Sequence, residues 1–168
     1  MPSSATEYLV EDHRRLHALL EQATHGGVLD VDAYEALRAG LLRHIAIEEK
    51  VLLPAAKRAR QGRPIERAHE LRMDHAALTS LLVPTPSVAL VEEIGRLLEV
   101  HDTKEEGTAG VYAECDALVP EGEHAALLAR AIAFPTIPLA PHFDGAGTVR
   151  TVAAALAAAQ RLRPPRAG

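Results

Sequence analysis

Apolar residues recur at three- and four-residue intervals through the first two-thirds of the chain, and each of four such stretches sets a histidine on its apolar stripe. The first begins at a capping box, Ser4-Ala5-Thr6-Glu7, and runs to about Ala23 with Leu9, Val10, His13, Leu16, His17 and Leu20 on one face; Gly26-Gly27 ends it. The second starts near Asp30 or Asp32 and carries Leu37, Leu41, His44, Ile45, Glu48 and Leu52. Pro54 is expected to kink or close it, because proline donates no backbone hydrogen bond. Beyond Gln61-Gly62-Arg63-Pro64, a third stretch presents Ala68, Leu71, His75, Leu78 and Leu82. Val83-Pro84-Thr85-Pro86 breaks the chain, and Ser87 caps a fourth helix. That helix is expected to carry Leu90, Ile94, Leu97, Leu98, His101, Glu105, Thr108 and Tyr112, weakened at Gly107 and Gly110 by about 1 kcal/mol each.

Alternating strand patterns are scarce, so the economical fold is all-α: an antiparallel up-and-down four-helix bundle over residues 1–120. Residues 121–168 are expected to form additional C-terminal helices, one from Glu121 to Ala133 and an alanine-rich one from about Val149 to Leu162. A Pro/Gly-rich loop joins these helices, and a frayed tail starts at Arg163. This extension is expected to cover one side of the bundle or to make a dimer contact.

The two halves of the bundle echo one another. Asp12-His13-Arg14-Arg15-Leu16 is answered by Asp74-His75-Ala76-Ala77-Leu78, a D-H-x-x-L pattern. His44-Ile45-Ala46-Ile47-Glu48-Glu49 is answered by His101-Asp102-Thr103-Lys104-Glu105-Glu106, an H-x-x-x-E-E pattern. One such pair could arise by chance; two in the same order, one motif per helix, are a repeat.

Residues four apart on a helix differ by about 40° and about 6 Å along the axis. His44 with Glu48 and His101 with Glu105 can therefore each aim an imidazole and a carboxylate at one point in the core, while His13 and His75 approach from the other two helices. Buried without partners, each such polar group would cost about 2–7 kcal/mol, and a bare carboxylate more. A multivalent cation offsets that cost most directly. Imidazole and carboxylate without thiolate favour iron, with manganese or zinc as alternatives. Two carboxylates from opposite helices suit bridging between ions about 3.5–4 Å apart. A ferritin-like site would instead need Glu-x-x-His pairs in the core; Glu66/His69 and Glu121/His124 have the spacing, but the first faces outward and the second lies outside the predicted bundle. His25, His69, His124 and His142 are left as surface or loop residues.

Composition narrows the partners. A net charge of −5 without a basic stripe argues against nucleic acid and anionic membranes. The single cysteine, Cys115, excludes an internal disulfide and a thiolate-rich zinc or iron–sulfur site. The first residues lack the basic start and apolar run of a secretory signal, and no stretch nears the roughly 18 apolar residues of a membrane span, so a cytoplasmic protein is expected.

The series D-H-x-x-L, H-x-x-x-E-E, D-H-x-x-L, H-x-x-x-E-E resembles the hemerythrin-like proteins, or HHE cation-binding domain family, over roughly residues 5–118. The resemblance implies a non-haem centre of two iron ions, oxo- or hydroxo-bridged, with His13, His44, His75 and His101 as terminal ligands and Glu48 and Glu105 as bridges. Oxygen-carrying hemerythrins have a second histidine one turn along the third helix; here Leu71 and Thr79 flank His75 at those positions. His17 could supply a fifth imidazole from the first helix or lie beside the ligands. Tyr112 is expected about 10 Å along the axis from Glu105, as a pocket wall or redox-active neighbour unless the Gly107/Gly110 segment bulges. Thr79 and Thr108 are expected near the ligands only.

Such a centre could bind O2 or react with peroxide or nitric oxide, and the altered histidine set weakens the pure oxygen-carrier reading. The leading expectation is a protein handling O2 or reactive oxygen and nitrogen species, with catalase-like peroxide turnover among its activities. The alternatives are a non-catalytic O2, iron or redox sensor acting through a partner protein, and a metal-free interaction module. The expected state is a monomer or homodimer.

Overall fold

In the computed structural model, residues 1–162 are described, and all regular structure among them is helical. The expected tail from Arg163 lies outside the described residues. Helix α1 spans Ala5–Ala23; the Ser4 side chain accepts from the Glu7 amide, while the Glu7 carboxylate reaches past Ser4 to accept from the Ser3 amide and hydroxyl. Helix α2 spans Val31–Ile47 and is capped by Asp30, which accepts from the Ala33 amide. The chain then makes a π-helical turn over Glu48–Leu52, in which the Leu53 amide bonds the Glu48 carbonyl, and continues as α3, Leu53–Ala59. Pro54 therefore does not end the helix. It falls in the first turn of α3, where a missing amide proton costs least, and the widened turn before it absorbs the register change.

Helix α4 covers Ala68–Leu81, and α5 covers Val88–Glu105 behind the Ser87 cap. The fourth stretch is not one helix. It stops at Glu106, whose backbone is extended; Gly107 turns at φ 90°, and α6 restarts over Val111–Leu118. Past a 3-10 turn at Glu121–Glu123, α7 runs from His124 to Ile132 and α8 from Val152 to Arg161, so both C-terminal helices are shorter than expected. Thr151, not a residue near Val149, caps α8 by accepting from the Ala154 amide.

Two apolar clusters form the core, and α1, α2 and α4 contribute to both, while α5 packs in the first and α6 in the second. One holds Leu16 of α1, Leu37 and Leu41 of α2, Leu78 of α4 and Leu98 of α5. The other holds Leu9 of α1, Ile47 beside the π turn, Leu71 of α4, and Val111, Tyr112 and Cys115 of α6. Between Leu9 and Leu16 lies His13; between Leu71 and Leu78 lies His75. The C-terminal helices join in: Ala155 and Ala159 of α8 pack into the first cluster and Leu127 and Ala131 of α7 into the second. Arg43 of α2 ties α7 down by donating to the carbonyls of Ala131, Ile132 and Phe134 at its C-terminal end. No helix among the described residues is long and apolar enough to cross a membrane.

Candidate metal centre

A layer of buried titratable side chains separates the two apolar clusters. His13 from α1, His44 from the end of α2, Glu48 from the π turn, His75 from α4, and His101 and Glu105 from α5 all point into it. Their ligand atoms form two groups, His13–His44–Glu48–Glu105 and Glu48–His75–His101–Glu105, within each of which every atom lies inside 4.8 Å of the others. Both carboxylates belong to both groups, and each splits its two oxygens between them. Glu105 Oε2 lies 3.2 Å from His13 Nε2 and Oε1 lies 3.0 Å from His101 Nε2. Glu48 Oε1 lies 3.6 Å from His44 Nε2 and Oε2 lies 3.1 Å from His75 Nε2.

The outer nitrogen of each ring decides what the inner one can do. His13 Nδ1 donates to Glu106 (2.6 Å), His44 Nδ1 to Asp12 (3.0 Å), His75 Nδ1 to Glu49 (2.8 Å) and His101 Nδ1 to Asp74 (3.3 Å). A carboxylate can only accept, so in the neutral ring the proton sits on Nδ1 and Nε2 presents a bare lone pair. His13 and His44 then bring two lone pairs to 2.9 Å, and His75 and His101 bring two to 3.2 Å. Glu48 Oε2 and Glu105 Oε1 are buried without a hydrogen-bond donor. Acceptor facing acceptor in a dry core is repulsive until a cation lies between them. The donor set, two imidazoles and two shared carboxylates on each side, fits a divalent or trivalent transition metal.

Protons can play the same part. Burial disfavours every charge in the layer, yet His101, His13 and His75 together hold the Glu105 carboxyl well below the usual range, and Glu48 is also lowered. The imidazoles move the other way against burial. Glu48 and Asp12 push His44 up to about 10, Asp74 and Glu105 push His101 to about 9, and His13 and His75 are raised too. Burial, followed by the two carboxylates, drives the Tyr112 hydroxyl well above 10, so it remains a donor.

Tyr112 reaches the centre through a break in the Gly107/Gly110 segment rather than along one continuous helix. The break at Glu106–Gly110 folds α6 back, and its hydroxyl sits 2.5 Å from Glu48 Oε1, 3.1 Å from Glu105 Oε2 and 3.4 Å from Nε2 of both His13 and His44. Thr108 is exposed in that turn, away from the layer. Thr79 donates to the His75 carbonyl on its own helix, a local bond that turns its hydroxyl from the centre. His17, 37 % exposed, joins neither group and instead donates to Asp102 Oδ2 at 2.7 Å. His69 and Glu66 are exposed, as their helical phase requires.

The model of the hemerythrin HHE cation binding domain matches residues 4–113. The chain belongs to this hemerythrin family. No significant match was found among curated proteins or solved structures. In this hemerythrin-like chain the matched region closes just after Tyr112, so the domain takes in the α5–α6 break, while α7 and α8 lie beyond it. Domains of this family bind metal cations, and the two His/Glu groups are where this one could hold them. The repeated motifs also explain themselves in space. The Asp of each D-H and the second Glu of each E-E are the four outer carboxylates, and three are held by cations: Asp12 by Arg15, Glu49 by Arg72, Asp74 by Lys104. Their roles were not read from the sequence, although the adjacency of D to H and E to E was the available signal.

Proposed function

We propose that the layer holds two iron ions, one between His13 and His44 and one between His75 and His101, with Glu48 and Glu105 spanning both. The observation that carries the proposal is the sharing of both buried carboxylates by two clusters of bare Nε2 lone pairs. Helices α1, α2 and α4 cross both apolar clusters in alternating direction, and α5 runs from the first cluster into the layer at His101 and Glu105, which supports the antiparallel up-and-down bundle. When bound, the ion pair would supply redox equivalents and an open position for O2, peroxide or nitric oxide. This chain's residues do the rest: the outer carboxylates fix each imidazole by its Nδ1 proton, Tyr112 holds a donor over both bridging carboxylates, and Leu, Val and Ile side chains above and below exclude water. Small oxygen or nitrogen species are the proposed substrates of a cytoplasmic protein.

A sensory role is the second reading, favoured by one contact. Helix α7 lies against the π turn that carries Glu48, giving the C-terminal helices a direct connection to the centre.

Metal analysis of protein purified after iron-replete growth tests the proposal. About two iron ions per chain with near-ultraviolet bridge absorption are expected, and His75→Ala is expected to lower both iron content and Tm. Iron-free protein, or unchanged iron stoichiometry in His75→Ala, would overturn it.

A further inference from the structure

The repeat that builds the centre is broken at three places, and all three fall on the same side. Where the first half has Ile45 after its second-helix histidine, the second half has Asp102 after His101. Where the third helix has Thr79, four residues after His75, the first has His17, four after His13. Tyr112 stands within 3.4 Å of His13 and His44. Ile45 is simply part of an apolar cluster, but Asp102 is 8 % exposed, and its Oδ1 lies 3.6 Å from His13 Nε2 with no hydrogen-bond donor. Its other oxygen is fixed by the His17 N–H. A surface cleft of about 490 Å³ reaches this point, lined by His13, His17, Asp102 and Glu106.

Asp102 belongs to neither four-atom group, so it is placed to meet something held by an ion rather than the ion itself. A carboxyl oxygen buried without a donor rewards a ligand that carries a proton and repels one that presents only lone pairs. Resting on the metal-binding reading above, we propose that Asp102, positioned by His17, selects proton-bearing ligands such as hydrogen peroxide at the His13 side, accepting the ligand's O–H at Oδ1 and discriminating against bare anions. Nitric oxide, with no proton to give, gains nothing from it.

The test compares iron-loaded wild type with Asp102→Asn, using azide titrated by its charge-transfer absorption and hydrogen peroxide by initial rates. The two probes should respond in opposite directions. Azide should bind about ten-fold more tightly to Asp102→Asn, because a repulsive acceptor becomes an amide that can donate, and the KM for peroxide should rise by about ten-fold. His17→Ala should move both the same way by less, and Thr79→Ala at the equivalent position across the repeat should move neither. If Asp102→Asn weakens azide and peroxide together, or changes neither, Asp102 is a packing residue and this proposal fails while the metal site stands. If wild type retains no iron, the metal-binding reading itself fails.

Discussion

His13, His44, His75 and His101 each turn one ring nitrogen inward and spend the other on a carboxylate. That division settles the chemistry of each residue, since a ring whose Nδ1 proton is claimed is ready to bind metal through Nε2 and otherwise must take up a second proton. The metal-free protein should therefore show a pH dependence of definite sign. His44 and His101 have folded pKa values of about 10 and about 9, above the ordinary 6.5, so they stabilise the fold fully below about pH 6.5 and lose that contribution as pH rises through their folded values. Chelator-treated protein should melt at progressively lower temperature from pH 7 to pH 10. A Tm that stays flat or climbs over that range would show that the imidazolium–carboxylate contacts do not support the apo fold. Metal loading should run the opposite way with pH, because it must displace those protons.

At the scale of the elements, the decisive feature is the break between α5 and α6. Gly110 brings the returning chain so close that a Cβ there would stand 2.3 Å from the Glu105 carbonyl oxygen, and Gly107 turns at φ 90°. Gly110→Ala is expected to cost about 1–3 kcal/mol by forced repacking and to move Tyr112 from the carboxylates; Gly107→Ala should cost a comparable amount through backbone strain alone. Gly122→Ala, whose Cβ would meet nothing within 4 Å, is the control and should change little. Urea denaturation of the three variants measures this, and equal stability of Gly110→Ala and Gly122→Ala would contradict the packing of the break. The π turn is a second device at the centre: it starts at Glu48, lets the helix run on past Pro54, and sends Glu48 inward and Glu49 to His75. Helix starts were legible in the sequence because a cap is a local bond; Ser4, Asp30 and Ser87 all act where expected. The break was less legible, since two glycines weaken a helix without saying where the chain goes next.

Across the whole molecule, the C-terminal segment is continuous with the core. Each apolar cluster includes residues from beyond position 120, Leu127 and Ala131 on one side and Ala155 and Ala159 on the other, and Arg38 of α2 donates to the carbonyls of Leu82 and Ala140. A chain cut after Pro120 would expose the apolar faces of α1 and α4 that these helices cover. Such a chain should melt at lower temperature than the full chain and bind a hydrophobic dye, even when loaded with iron. An unchanged melting temperature would show that residues 1–120 are a self-sufficient domain with a separate appendage.

The amino-acid sequence by itself determined the helical class and the six inward groups, because helical period places every third or fourth residue on one face and burial allows few polar exceptions there. It also displayed the Asp, Glu and His pairs whose spacing repeats. Only the tertiary structure decided which oxygen faces which nitrogen, brought Tyr112 over both carboxylates, and left Asp102 Oδ1 open beside His13. Several of those relations span much of the chain, Tyr112 on Glu48 across 64 positions and His13 on Glu106 across 93, and no local periodicity encodes a distance across that much chain. They follow from how four helices and a folded-back fifth segment pack around one polar layer.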